Sequence, residues 1–386
     1  MKQTFLVAAL LTACALFLTP TPARAAEGEI VIGHFGSLTG GTATFGTSTK
    51  EGIDLAVKEI NDAGGVLGKK IRVVHEDDQS LPKEATNAVL KLINQDKVVA
   101  LIGEVASTRS LAAAPTAQRR KIPMLSPAST NPKVTQVGDY IFRSCFIDPF
   151  QGSAMATFAM THEKGPKAKR LAILYDVKND YSTGLRQFFI ETVKKAGGEI
   201  VADEAYGEGD IDFKAQLTKI KQSNPDAVYA PGYYTEIGLI CRQARDLGIN
   251  VPFMGGDGWD SEKTFEIGGK AVEGCFFSNH YSPDQDSALV KKFVDTYKQA
   301  YGGRTPDAMA ILGYDAMKIM ADAIRRAESI QGKAIRDALA ATKDLEVASG
   351  KITINANRDA EKPIVIIKIA NGKHQFVASV DATTKK

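Results

Sequence analysis

Cysteine is scarce in this 386-residue chain: Cys14, Cys145, Cys241 and Cys275 make up all four, at spacings that suit no zinc motif. Three of them follow residue 25, and a chain this long needs no disulfide staples to hold a core. Those three allow one bridge, and Cys241 with Cys275 is the first pair to test. Charge of one sign is missing as well. The formal net charge of +3 falls to +1 without residues 1–25, which carry Lys2 and Arg24 and no acid. Neither nucleic acid nor an anionic surface is expected as a partner on such a balance. The clusters Arg119-Arg120-Lys121 and Lys167-Ala168-Lys169-Arg170 read as solvated faces.

Catalytic signatures are also lacking. There is no Gly-x-Ser-x-Gly elbow and no His-Glu-x-x-His pair. The stretch Gly41-Thr42-Ala43-Thr44-Phe45-Gly46-Thr47-Ser48 has P-loop glycine spacing but puts Thr47 where the lysine must stand, so it reads as a turn opening a helix. His34, His162, His280 and His374 have no acid or thiol partner at an informative spacing and receive no role. The run His75-Glu76-Asp77-Asp78 gathers acids at a strand end, where a divalent ion would need several converging oxygens; a solvated loop is the preferred reading. No cofactor and no metal is expected.

A long apolar run occurs at the start, over residues 5–18, too short to span a bilayer comfortably. With Lys2 before it and Ala23-Arg24-Ala25 after it, residues 1–25 read as a cleaved secretory signal, and Ala26 as the first mature residue. Leu11-Thr12-Ala13-Cys14 also fits a lipoprotein box. A lipid anchor at Cys14 is the less favoured reading, because Ala15-Leu16-Phe17-Leu18 follows in place of a polar tether.

What is present is an ordinary globular composition, 44% hydrophobic and 24% charged, long enough for two packed lobes. Apolar periodicity predicts strands at 30–34, 70–76 and 98–102, each followed by a helix, at 46–61, 83–94 and 108–118. That alternation is the pattern of a doubly wound parallel sheet. Gly64-Gly65 and Gly197-Gly198 stand where helix stops belong. A second α/β series begins after Asp148-Pro149 and runs to strands at 253–255 and 274–278. Helices at 287–301, 307–327 and 333–341 and strands at 351–355 and 363–370 close the chain. No linker rich in Pro, Gly or Ser separates the halves, so several short crossings are expected, forming a multi-strand hinge between two lobes that close on a ligand.

The ends of strands carry the informative loops, because open α/β sheets bind ligands at their carboxyl edges. Glu104-Val105-Ala106-Ser107-Thr108-Arg109 follows one strand and Ser126-Pro127-Ala128-Ser129-Thr130-Asn131-Pro132 the strand at 123–125. The hydroxyls of Ser107 and Thr130, with free N–H groups at a helix start, suit an anion, and the Ala128 carbonyl suits a cation. Together they offer something to each half of a zwitterion; the competing reading is that they only cap helices and close turns. In the second series, Pro231-Gly232-Tyr233-Tyr234-Thr235-Glu236 and Gly255-Gly256-Asp257-Gly258-Trp259-Asp260 follow strands in the same way. Asp257, between glycines and beside the single Trp, suits a carboxylate aimed at a cation, or an ordinary Asx turn.

Ile32-Gly33-His34-Phe35-Gly36-Ser37-Leu38-Thr39-Gly40, Glu59-Ile60-Asn61-Asp62-Ala63-Gly64-Gly65 and the loops at 126–132 and 232–236 give the chain its likeness. Across nearly all of the mature sequence it resembles the type I periplasmic binding proteins of the leucine/isoleucine/valine family, which feed amino acids to ATP-driven importers. The resemblance implies that Ser107 and Thr130 hold the ligand carboxylate while the Ala128 carbonyl and Asp257 take its ammonium. It places aromatic walls at Tyr181 and Tyr233, and a side-chain pocket at Phe45, Val105 and Ala106. It further implies a monomer in the periplasm, working with permease subunits in the inner membrane, with 26–146 plus 279–359 as one lobe and 147–278 plus 360–386 as the other. Departures bear on specificity: Phe45 is often Trp in such proteins, Asp257 is Glu in the enteric binders, whose cysteine pair is replaced here by Ser80 and Ala106, and a tyrosine common near Met309 is absent. Leu, Ile and Val are the expected ligands; another amino acid, an amide or an aromatic acid, a sensory role, or a small-molecule enzyme are the alternatives.

Overall fold

Runs of apolar residues too short for helices set the strands of the first sheet, and β1 (Glu29–Gly36) is buried at every position but its first. The computed structural model describes residues 28–380; the expected signal segment and Cys14 lie outside the described residues. Next come α1 (Ala43–Asp62), β2 (Lys70–Asp77), α2 (Pro82–Asn94), β3 (Ala100–Ile102) and α3 (Ser107–Arg120). Then β4 (Met124–Ser126), the short α4 (Lys133–Gln136) and β5 (Ile141–Arg143) complete this part. The strands pair in parallel in the order β2-β1-β3-β4-β5. Register sets Gly36 against Asp77 and Ser126 against Arg143, so the loops at the strands' carboxyl ends gather on one edge.

The chain then enters a second sheet through α5 (Asp148–Thr161), β6 (Arg170–Asp176), α6 (Asp180–Lys195), β7 (Glu199–Tyr206) and α7 (Lys214–Gln222). It continues with β8 (Ala227–Tyr229), α8 (Tyr234–Asp246), β9 (Phe253–Gly255), α9 (Glu262–Gly268) and β10 (Phe276–Asn279). Helices α10 (Ala288–Ala300), α11 (Ala308–Ala327) and α12 (Gly332–Ala340) return to the first lobe, where α11 packs along α1. A small antiparallel sheet of β11 (Leu345–Val347), β12 (Gly350–Ile354) and β13 (Ala360–Glu361) follows. Finally β14 (Ile364–Ala370) and β15 (Lys373–Val380) rejoin the second sheet, whose order is β15-β14-β10-β9-β8-β6-β7. This sheet is parallel from β6 to β10 and antiparallel at β14 and β15, which modifies the all-parallel expectation at one edge.

Three passages therefore link the lobes among the described residues: after β5, after β10, and between β13 and β14. Each lobe has its own apolar interior. Ile32, Ile102, Leu125 and Phe142 pack with Met317 and Met320 in the first, and Leu174, Val228, Phe253 and Phe277 pack together in the second. Cys145, Cys241 and Cys275 are buried free thiols.

Close approach of α1 and α11 depends on two glycines. A Cβ at Gly52 would stand 1.9 Å from the Ala310 carbonyl oxygen, and one at Gly313 would stand 2.3 Å from that of Thr49. Backbone atoms cannot yield as a flexible side chain does, so Gly52→Ala must push the helices apart. The expected loss is about 1–3 kcal/mol of stability in chemical denaturation; a wild-type midpoint would show that this packing is not tight.

Candidate functional site

Glu104 organises the first lobe's half of the cleft. Its side chain is fully buried and accepts from the Ser37 N–H at 3.2 Å, the Ser37 hydroxyl at 2.9 Å and the Ala106 N–H, and it pairs with Arg109 Nε at 3.2 Å. Its carbonyl oxygen accepts from the hydroxyls of Ser110, Ser126 and Ser129 at 3.1, 2.8 and 2.9 Å. The loops after β3 and β4 are thereby stitched together, and the Ser107 hydroxyl accepts from the Asn131 N–H at 3.2 Å, leaving its own proton free. No side chain caps α3, so the N–H groups of its first turn stay open to an anion.

A second buried cation holds the carbonyl side of the same loop. Arg143 donates to the carbonyls of Ser129 and Asn131, the latter at 2.8 Å, and to Asp359 Oδ1 at 2.6 Å. Thr130 is fully buried and its hydroxyl has no hydrogen-bond partner.

Asp257 occupies a single 3-10 turn after β9, and close contacts explain the glycines around it. A Cβ on Gly255 would lie 2.0 Å from Trp259 Nε1, one on Gly256 2.3 Å from the Tyr181 hydroxyl, and one on Gly258 2.7 Å from the Gly232 carbonyl. The carboxylate accepts from Gln151 Nε2 at 2.7 Å and the Tyr181 hydroxyl at 2.9 Å on one oxygen, and from His280 Nε2 at 2.9 Å on the other. Burial holds the His280 imidazole below its usual range despite this acid, and its ring stacks on Phe146 at 3.9 Å. A neutral ring donating through Nε2 is the state that fits both observations.

All nine residues singled out from sequence are buried, and they converge from both lobes. Tyr181 stacks on Tyr233 at 5.4 Å, Phe45 meets the edge of Tyr233 at 5.5 Å, and Val105, Ala106 and Ala128 belong to the same apolar cluster. Ser107 and Thr130 stand in the loops after β3 and β4, and Asp257 approaches from the second lobe. The lobes touch directly: the Thr108 hydroxyl donates to Asp180 Oδ2 at 3.1 Å and accepts from the Asp180 N–H at 2.9 Å, Asn131 Nδ2 donates to the Asp180 carbonyl at 2.7 Å, and Thr44 Oγ1 lies 2.9 Å from Ser261 Oγ.

Several expectations need correction. His280 and His374 have acid partners, Asp257 and Asp260 Oδ1, the latter at 3.1 Å; the partners are distant in sequence, which is why spacing missed them. The loop at 75–78 is not simply solvated: Asp78 is buried and accepts from the Ser37 hydroxyl at 2.8 Å, while Asp77 receives the N–H groups of Leu38 and Thr39. Among the described residues no cluster of His, Cys, Asp and Glu is arranged to hold a metal ion. Gln151, Arg143 and Asp148 went unread; only the placement of Asp148 and Gln151 one helical turn apart hinted at a shared face.

The sequence profile of the family described as "Periplasmic binding protein" matches residues 29–373. The chain belongs to that family. It is 31% identical to Leu/Ile/Val-binding protein homolog 3 of Brucella melitensis over 94% of this chain and 98% of that protein. The crystal structure of a leucine binding protein, LivK, from Thermotoga maritima shares 44% identity and a TM-score of 0.87, covering 92% of this chain and 99% of that one. A LivJ structure from Streptococcus pneumoniae in complex with isoleucine shares 35% identity and a TM-score of 0.86, with coverage of 92% and 99%. The two-lobed α/β architecture is thus the type I periplasmic binding protein fold, in a family of solute-binding proteins.

Burial, then the nearby Glu104 carboxylate, push Asp78 up to about 8, and its Oδ2 has no hydrogen-bond partner. The folded value lies above the model-peptide 3.8, so this group's contribution to stability is whole at low pH and is lost as pH rises through about 8. Asp78→Asn keeps an acceptor for Ser37 and Ser80 but cannot ionise. Its melting temperature should gain on the wild type between pH 5 and pH 8; parallel curves would show that Asp78 ionises without penalty.

Proposed function

We propose that this protein is the solute-binding component of an ABC importer and that a neutral aliphatic amino acid, foremost Leu, Ile or Val, binds between its lobes. Ser107, Thr130 and the first turn of α3 receive the carboxylate; the Ala128 carbonyl and Asp257 receive the ammonium. Tyr181 and Tyr233 cover the ligand, and Phe45, Val105 and Ala106 line its side chain. In this reading one lobe comprises 26–146 with 279–359 and the other 147–278 with 360–386. The protein works as a monomer in the periplasm, delivered by a cleaved signal, and hands its ligand unchanged to membrane permease subunits.

The observation that carries the reading is the pairing, in one buried cleft, of an uncapped helix start beside a hydroxyl with a free proton and an orphan hydroxyl on one side, and a fully oriented carboxylate on the other. Such a cleft complements a zwitterion, whose burial without partners would be prohibitive. Hydrogen bonds to charged groups contribute roughly 1.5–3 kcal/mol each. The names of the relatives, leucine-, isoleucine- and valine-binding proteins, support the ligand class.

Asp257→Ala is expected to weaken amino-acid binding about tenfold or more in calorimetry, the equivalent of roughly 1.4 kcal/mol; unchanged affinity removes Asp257 from the site. A thermal-shift screen across the amino acids and benzoate-like acids tests the ligand class, since a ligand that binds only the folded state raises the melting temperature. Stabilisation graded among Leu, Ile and Val is the expected result, because an apolar pocket separates neighbouring side chains by only about 1–3 kcal/mol per methylene. Stabilisation by benzoate-like acids alone would overturn the assignment.

A further inference from the structure

Behind Thr130 stands a set of polar atoms to which the binding roles above assign nothing. Asp148 lies in the first turn of α5, is fully buried, and has no hydrogen-bond partner on either carboxyl oxygen. Gln151 Oε1 and the Tyr229 hydroxyl are buried and unpartnered in the same way. Backbone geometry keeps the group together. The Asp148 N–H donates to the Thr130 carbonyl at 3.0 Å, and Gln151, one turn further along α5, reaches Asp257 at 2.7 Å. A Cβ on Gly184 would stand 2.7 Å from Asp148 Oδ2, so α6 presses on the same carboxyl without supplying a side chain to it.

An ionised carboxylate held out of water with no donor is far costlier than a neutral acid. Burial accordingly pushes Asp148 well above the ordinary carboxylate range; the Asp257 carboxylate adds to this and Asp180 joins it, while the Thr130 hydroxyl and Arg143 pull the other way. The Arg143 guanidinium is already committed to Asp359 and to loop carbonyls. Of the remaining titratable groups around Asp148 and Asp257, Tyr229 and Tyr181 are raised well above the usual phenol range by burial, and burial keeps the His280 ring below its usual range. A ligand ammonium would supply the donor that no side chain gives the Asp148 carboxyl.

We propose that Asp148 is a second acid of the ligand site: it carries a proton while no cation is present and releases that proton to solvent when a ligand ammonium is held at Asp257. The O–H bond of the acid breaks, its electron pair stays on the carboxylate, and the proton passes to buffer. This rests on the amino-acid reading above. Because the bound form favours the anion, affinity rises with pH up to the value of the free protein's Asp148.

Calorimetry of L-leucine binding at pH 6, in buffers of different ionisation enthalpy, counts the protons released; the ligand's ammonium stays protonated at that pH. The wild type should release a clear fraction of one proton, and its affinity should climb from pH 5 to pH 7. Asp148→Asn, close in shape but unable to ionise, should bind leucine at pH 7 no more tightly than the wild type does at pH 5, with no proton release and no pH dependence over that range. No release from the wild type, or equal release from the variant, overturns the proposal. If the variant fails to fold, the infrared difference spectrum of wild type on adding leucine decides: a protonated carboxyl band must be lost and a carboxylate band gained, and its absence is fatal. Leucine bound with no proton release overturns this inference alone, whereas no binding by any amino acid overturns the function reading with it.

Discussion

The buried Glu104–Arg109 pair, joined by the hydroxyls that converge on the Glu104 carbonyl, is the constraint on which the first lobe's share of the cleft depends. A single residue accepts from the loop after β1, the start of α3 and the loop after β4, and pairs with a guanidinium. Removing one partner of such a pair typically costs about 3–5 kcal/mol, because the other charge is left buried. Two short strands and three loops thus acquire one geometry, although few of them could hold it alone. The serine-rich character of residues 104–110 and 126–131 follows from this, since the buried hydroxyls of Ser110, Ser126 and Ser129 find partners in carbonyls or one another.

Much of this architecture was legible from apolar periodicity. The strand Phe253–Gly255 falls at its expected residues, and helices such as α10 and α11 lie within a residue of expectation. What escaped has physical reasons. β5 has three buried residues, one of them Arg143, so it carries no apolar run; β15 is an edge strand rich in exposed polar residues, where burial imposes little alternation. In the cleft, loops at strand ends were readable because topology fixes where they point. The residues that orient them were not. Gln151 and Asp257 are 106 positions apart, and Arg143 and Asp359 are 216 apart, distances across which sequence spacing holds no information.

The hinge and the cleft are built from the same side chains. Arg143 ends β5 at the first passage between lobes, His280 follows β10 at the second, and Asp359 immediately precedes β13 on the approach to the third. Arg143 joins Asp359 and grips the carbonyls of Ser129 and Asn131, while His280 holds one oxygen of Asp257. Rotation about these passages must therefore move the supports of the loop carbonyls and of the acid together. The direct contacts between lobes extend the coupling, because Thr108, Asn131 and Asp180 are the chain neighbours of Ser107, Thr130 and Tyr181. A cleft organised in this way cannot align its polar groups fully while the lobes stand apart. The free energy of a ligand's charge-assisted hydrogen bonds then becomes available for closure itself, since alignment and closure are one change of geometry.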